Sequence, residues 1–147
     1  MRILIFGAGV IGSLYAALLA KAGYNVSVYA RGRRLESLKR NGLQYKYMEK
    51  NKTAPIKVLS KIETDDRYDF IFLTLRGNQL HAALEELRRN SSPTIVTMVN
   101  SLETYDKWEV ICGAGRIIPA FPGAGGGSQA RRTRRRAHEK NRKADPG

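Results

Sequence analysis

Apolar positions along this chain fall into two rhythms. Short unbroken runs such as Ile3-Leu4-Ile5-Phe6 and Phe70-Ile71-Phe72-Leu73 are bounded by glycine, charged or polar residues, as buried parallel strands are. Between them, apolar residues recur at spacings of three and four, the helical period. The runs predict strands over Arg2–Phe6, Asn25–Ala30, Tyr68–Leu75, Pro93–Val99 and Arg116–Pro119. The helical period predicts a helix over Val10–Ala22, with Ile11, Leu14, Leu18 and Ala22 on its face and Gly23 as its C-cap. It also predicts Leu35–Asn41, ended by Asn41-Gly42, then Gln79–Arg89 carrying Leu80, Ala83, Leu84 and Leu87, and finally Glu103–Val110. Leu43–Met48 alternates and reads as a strand, Lys50–Thr53 as a polar turn, Ile56–Leu59 as a short returning strand, and Lys61–Arg67 as a charged link. Strand and helix alternate, so the fold class is α/β: a Rossmann-type, doubly wound, mainly parallel sheet with helices on both faces.

The first strand–helix junction carries a glycine pattern, Phe6-Gly7-Ala8-Gly9-Val10-Ile11-Gly12. Glycine-rich βα turns are common, and the setting gives this one its meaning. It follows a strand, opens a helix and is succeeded by a second strand at single-crossover distance. Gly7 allows the tight turn, Gly9 lets backbone approach a pyrophosphate, and Gly12 lets helix pack closely on strand. The free amides and positive dipole end of the helix complete a phosphate cradle over Gly7, Ala8, Gly9, Val10, Ile11 and Gly12.

The end of the second strand selects the cofactor. A site for NAD usually has Asp or Glu there to accept hydrogen bonds from ribose hydroxyls. This chain has Ala30-Arg31-Gly32-Arg33-Arg34. A 2′-phosphate carries close to two negative charges, and guanidinium can bind it bidentately. Arg31 is the best single candidate, Arg34 the second, and the cofactor expected is NADP(H). Strand carboxyl ends face the ligand crevice in a doubly wound sheet, which adds Arg76–Gln79 and Asn100 to the same rim.

Other candidates read as structure. His81 has no second ligand at metal spacing, so no metal site is expected. Tyr45 and Tyr47 read as packing residues. Cys112, the single cysteine, has no basic residue paired with it locally and reads as a small apolar residue. One cysteine allows no intrachain disulfide, so a reducing, cytoplasmic compartment is expected. No apolar run reaches the length of a membrane span, and the glycine turn interrupts what a signal peptide would need.

Charge changes the picture only at one end. The 147 residues carry a net charge of +13, but residues 128–147 hold eight Lys/Arg against Glu139 and Asp145. That stretch has no apolar periodicity and cannot bury a face, so a disordered basic tail is expected beyond a single domain over residues 1–127. The domain itself is moderately basic, as suits a polyanionic cofactor.

Taken together, Arg-Ile-Leu-Ile-Phe-Gly-Ala-Gly-Val-Ile-Gly-Ser-Leu-Tyr from Arg2, Tyr-Ala-Arg-Gly-Arg-Arg-Leu-Glu-Ser-Leu from Tyr29, and Asn41-Gly42-Leu43 resemble the N-terminal domain of 2-dehydropantoate 2-reductase (ketopantoate reductase). Tyr68–Gln79 and Val99-Asn100-Ser101-Leu102-Glu103 continue the likeness, which covers roughly residues 1–127. The resemblance implies reduction of a 2-keto acid to a 2-hydroxy acid by NADPH, on the route to pantothenate. It implies pyrophosphate at Gly7–Gly12, 2′-phosphate at Arg31, a cofactor and substrate contact at Asn100, and a rim role for Gln79. Two positions depart from it: Arg76 stands where family members often have Lys, and Asn100-Ser101 where they have Asn-Gly. A paralogue acting on another 2-keto acid is therefore a second reading. The family's helical second domain, with its lysine general acid and substrate-binding glutamate, has no counterpart after Gly127, so a truncated or frame-altered chain of little activity alone is expected. No residue of the chain is assigned as catalytic, and Lys140 and Lys143 do not fill that place.

Two further readings stay open. One is a nucleotide-binding module whose basic tail contacts RNA or DNA, although no aromatic residue is interleaved in the tail to stack on bases. The other is a homodimer formed through Leu102, Trp108 and Phe121-Pro122, the surface a second domain would cover; for Trp108 the competing reading is helix-to-sheet packing. Removing residues 128–147 separates the first of these from a cofactor domain. Electrophoretic shift of duplex DNA or RNA is expected to vanish, while NADPH titration of the shortened chain is unchanged.

Overall fold

A computed structural model describes residues 1–123. The chain runs β1 (Arg2–Phe6), α1 (Val10–Lys21), β2 (Asn25–Tyr29), α2 (Gly32–Asn41), β3 (Leu43–Tyr47), β4 (Lys50–Ala54), β5 (Lys57–Leu59) and β6 (Phe70–Leu73). A 3-10 turn at Gly77–Gln79 leads into α3 (Leu80–Leu87), followed by β7 (Ile95–Thr97), α4 (Tyr105–Cys112) and β8 (Ile117–Pro119). Six strands form one sheet in the order β5-β2-β1-β6-β7-β8, and every pairing in it is parallel. The order reverses between β1 and β6, so the glycine turn after β1 opens at the switch point where such sheets bind ligands. The expected α/β architecture is therefore present. The basic stretch from residue 128 onwards lies outside the described residues.

Each central strand divides its side chains between two cores. Ile3 and Ile5 of β1, with Val26 and Val28 of β2, face Ala16, Ala17 and Ala20 of α1 and Leu38 of α2. Leu4 and Phe6, with Tyr29, Ile71, Leu73 and Ile95, face Leu80, Leu84 and Leu87 of α3 and Trp108 of α4. Burial on both faces explains the unbroken apolar runs, which show no alternation. Leu84 and Leu87 are fully buried, and truncating such a leucine typically costs ~2–5 kcal/mol.

Three local expectations need correction. The predicted face of α1 does not meet the sheet: Gly12, Ala16, Ala17 and Ala20 are buried, while Leu18 is 51% exposed. Small residues let the helix lie close to the strands, and that proximity outweighs the larger apolar area offered by the leucine stripe. Second, Lys50–Thr53 is strand, not turn. β4 pairs antiparallel with β3 from Leu43↔Ala54 to Tyr47↔Lys50, and the reversal is made by Met48 and Glu49 at φ of 48° and 61°. A turn with two left-handed residues usually announces itself with Asn or Gly, and neither is present here. Third, the segment after it does not return along the hairpin. β5 pairs parallel with β2 and forms an edge of the large sheet.

Several single residues fall as expected. Trp108 packs between helix and sheet, 4% exposed, with its indole N–H donating to Glu103 Oε2 at 2.9 Å. Leu102 and Phe121 are exposed. Cys112 is buried, and burial pushes its thiol up, away from reactivity. Tyr45 packs against the α1-side core, and Tyr47 lies under the Lys21 ammonium, 3.4 Å from its ring centroid.

Arg116, at the entry to β8, ties the far side together. Its guanidinium donates to the carbonyls of Leu87 (3.2 Å), Asn90 (2.9 Å), Ser92 (2.7 and 3.0 Å) and Cys112 (2.7 Å). Leu87 and Cys112 are the last residues of α3 and α4, so one fork-shaped cation serves two helix C-termini, where positive charge is favoured. Lysine has no geometry that reaches four carbonyls. Arg116→Ala is expected to lower unfolding stability by about 2–4 kcal/mol in urea titrations, with Arg116→Lys recovering only a minor part.

Candidate cofactor site

The site is built where β1 gives way to α1. Gly7 leaves the strand at φ +113°, a conformation that side chains rarely tolerate, with its N–H bonded to Tyr29 O. The three glycines then do different work. A Cβ on Gly12 would lie 1.9 Å from Gly7 O and 2.5 Å from Thr74 Oγ1, and one on Gly7 would lie 2.7 Å from Leu75 Cδ2. A Cβ on Gly9 would meet nothing within 4 Å. Gly7 and Gly12 are thus required by the protein's own packing. Gly9 presents bare backbone to open space at a helix start, the approach a pyrophosphate needs.

The helix start itself suits an anion. Gly9 is the N-cap of α1, no side chain caps the helix, and its first turn has no acidic residue. Its leading amides, Val10 and Ile11 among them, retain their donors at the positive end of the dipole. Ala8 is buried, with its carbonyl accepting from Ser13 Oγ at 3.2 Å and from Arg34 Nε at 2.9 Å. Arg34 Nη2 also donates to Ser13 Oγ at 3.0 Å. Arg34, the last arginine of the basic segment, therefore braces the glycine turn itself, and partial burial pulls its guanidinium down from the usual range. On the other side, Thr74 Oγ1 donates to Gly7 O at 2.7 Å.

The helix expected from Leu35 starts three residues earlier, inside the basic segment after β2. α2 begins at Gly32, so Arg31 is its N-cap and Arg33 and Arg34 fall in its first turn. Cations there oppose the helix dipole. A local conflict of this kind is characteristic of functional sites, and an anion placed between the two helix starts would relieve it. Arg31 is exposed, and its Nε–H donates to Tyr29 Oη at 2.5 Å while Nη2 pairs with Glu86. The hydrogen bond to Tyr29 and the field of Glu86 raise its guanidinium further above the usual range.

The remaining rim residues also lie at strand carboxyl ends. Arg76 and Gln79 follow β6, both exposed, with Gln79 Oε1 accepting from the Arg76 N–H at 3.4 Å. Asn100 follows β7 and is exposed, and its carbonyl would lie 3.4 Å from a Cβ on Gly77. The loops after β6 and β7 therefore meet. Sequence reasoning missed Thr74, Ser13, Tyr29 and Glu86. Thr74 had a signal, as a hydroxyl closing an otherwise apolar run. Glu86 had none, because it reaches the rim from a helix 55 positions away.

Fold and site together define a Rossmann-type, NAD(P)-binding domain. The model for the family of ketopantoate reductase PanE/ApbA matches residues 3–141, and the chain belongs to that family. A 2-dehydropantoate 2-reductase from Mesorhizobium japonicum is 36% identical over 105 residues, covering 69% of this chain and 32% of the relative. One from Archaeoglobus fulgidus is 33% identical over 101 residues, covering 69% and 33%. The chain thus spans about a third of the length of the curated relatives it matches. Among solved structures, a 2-dehydropantoate 2-reductase from Geobacter metallireducens superposes with a TM-score of 0.71 at 29% identity, over 87% of this chain and 44% of that one. A D-mandelate dehydrogenase, in a ternary structure with NADH and anilino(oxo)acetate, shares the fold with a TM-score of 0.73 at 24% identity, over 82% of this chain and 40% of that one.

The glycines can be separated experimentally. Gly9→Ala is expected to fold within about 1 kcal/mol of the unaltered chain yet lose at least roughly tenfold in dinucleotide affinity, since its Cβ enters the approach path. Gly12→Ala is expected to lose about 1–3 kcal/mol of stability or more by overpacking. Thermal melts alongside fluorescence titration with NADPH read both effects.

Proposed function

We propose that this chain supplies the NADP(H)-binding part of a 2-keto-acid reductase, with 2-dehydropantoate as the keto acid and pantoate as product, on the pantothenate route. The observation that carries the reading is the pair of arginines at the end of β2. Arg31 is open to solvent beside the strand end, and Arg34 is bonded to the glycine turn that would cradle the pyrophosphate. β2 itself ends without an acidic residue to select a free ribose hydroxyl.

In this assignment Gly7–Gly12 and the amides of α1 hold the pyrophosphate, and Arg31 takes the 2′-phosphate. Arg34 fixes the turn and adds positive potential. Arg76 and Gln79 lie along the cofactor, while Asn100 touches both nicotinamide and keto acid. Bound NADPH supplies the hydride. The reduced carbonyl then needs a proton, and general acid catalysis contributes ~10²–10⁴-fold to such steps. The residues assigned here bind and orient, and turnover with these alone is expected to be slow. A reducing cytoplasm is the compartment we assign, and no helix among the described residues is long and apolar enough to cross a membrane.

Arg76 and Ser101 favour keeping a second keto acid in view. Ser101 uses its hydroxyl to accept the Glu103 N–H at 3.1 Å, so the loop after Asn100 is shaped by a side chain that Asn-Gly would not provide. A paralogue reducing another small 2-keto acid shares every cofactor assignment above.

Titration of the chain with NADPH and NADH tests the cofactor. NADPH is expected to bind more tightly, and Arg31→Ala to weaken NADPH by about tenfold or more while changing NADH little. Equal affinity for both nucleotides, or affinity for neither, overturns the assignment.

A further inference from the structure

Arg31 is held in place by more than its backbone. Its Nε–H donates to Tyr29 Oη at 2.5 Å, Tyr29 donates its hydroxyl proton to Glu86 Oε1 at 2.7 Å, and Arg31 Nη2 donates to Glu86 Oε2. Each carboxylate oxygen of Glu86 thus holds one donor. The guanidinium carbon lies 5.2 Å from the Tyr29 ring centroid, which steadies it against that face. Glu86 is set by its helix: its neighbours on α3, Ala83, Leu84 and Leu87, are locked into the core. Glu86 is only 28% exposed at the side chain, against 65% for Arg31. The carboxylate is the fixed member and the guanidinium the accessible one.

This reverses part of what the end of β2 implies. The strand carries no acidic residue there, but α3 brings a carboxylate to the same place. Carboxylate and guanidinium favour opposite ligands: the first accepts hydrogen bonds from ribose hydroxyls and repels phosphate, the second pairs with phosphate bidentately. A nucleotide with a free 2′-hydroxyl can leave the Arg31–Glu86 pair standing. A 2′-phosphate must share Arg31 with Glu86, whose carboxylate already holds Nη2, and remain within the field of that carboxylate.

We infer that Glu86 is a specificity-determining residue for the nucleotide's 2′ position: it holds Arg31 directly and through Tyr29, opposes the 2′-phosphate and favours the free ribose hydroxyl. The chain therefore takes both NADPH and NADH, with a preference for NADPH much narrower than Arg31 alone would produce. This rests on the assignment of Gly7–Gly12 and Arg31 to a nicotinamide nucleotide. Specificity here is a difference of two affinities, and a repulsive element sets it as much as an attractive one.

The test is a pair of equilibrium titrations on the full chain, with NADPH and with NADH, for the unaltered protein, Glu86→Gln, Glu86→Ala and Tyr29→Phe. Both Glu86 variants are expected to bind NADPH more tightly and NADH more weakly, raising the ratio of the two affinities by about tenfold, the scale of losing one partly exposed charge contact on each side. Tyr29→Phe is expected to shift the ratio the same way by less, since the direct Arg31–Glu86 contact survives. Thermal melts of all variants confirm that the ratio is read on folded protein, and the isosteric Glu86→Gln keeps the test open should Glu86→Ala not fold. A ratio that stays within about twofold of the unaltered chain in Glu86→Gln, or that falls, overturns this inference while leaving the nucleotide assignment standing. Binding of neither nucleotide by the unaltered chain overturns both.

Discussion

The contact on which the rest depends is the one between Gly12 and the carbonyl of Gly7. With no side chain at Gly12, the first turn of α1 settles directly on the turn leaving β1, where even a methyl group would come within 1.9 Å of the oxygen. Close approach here continues along the helix as Ala16, Ala17 and Ala20, which press on Ile3, Ile5, Val26 and Val28. It also aims the helix start at the gap between β1 and β6, because Thr74 at the end of β6 clasps the same Gly7 carbonyl. Packing and anion binding are thus one arrangement. The glycines that make the core dense leave the helix's leading amides bare.

Electrostatics at the neighbouring junction follow from the same economy. α2 begins with arginines in a turn where cations are disfavoured, and Arg34 finds its compensation in the carbonyl of Ala8. Arg31 finds its own in Tyr29 and Glu86. Neither arrangement is the lowest-energy way to start a helix. Both concentrate positive charge where a dinucleotide would lie across the switch point of the sheet.

The opposite edge of the sheet is organised by a different cation. Arg116 gathers the C-terminal carbonyls of α3 and α4, fixing both helices relative to β7 and β8. Since α3 carries Glu86, the position of that carboxylate at the rim derives from core packing rather than from the loops around it. The loops after β6 and β7 bring Arg76, Gln79 and Asn100 to the exposed rim, and there they are held by contacts between loops rather than by the core.

Much of the architecture was legible before any coordinates. Parallel strands buried on both faces favour unbroken apolar runs, so β1 and β6 showed themselves, and the glycine turn between β1 and α1 had a periodicity on either side to interpret it. What periodicity could not reveal was which face of α1 meets the sheet, because small residues pack by proximity and leave only a weak hydrophobic signal. Nor could it locate a hairpin turn made by Met48 and Glu49 without glycine or asparagine. At the site, the glycines and Arg31 could be read from local order, since each belongs to a strand end and its following turn. Arg34's grip on the glycine turn and the meeting of Arg31 with Glu86 belong to the tertiary structure alone. They join residues 26 and 55 positions apart, brought together by two helices on opposite faces of one sheet.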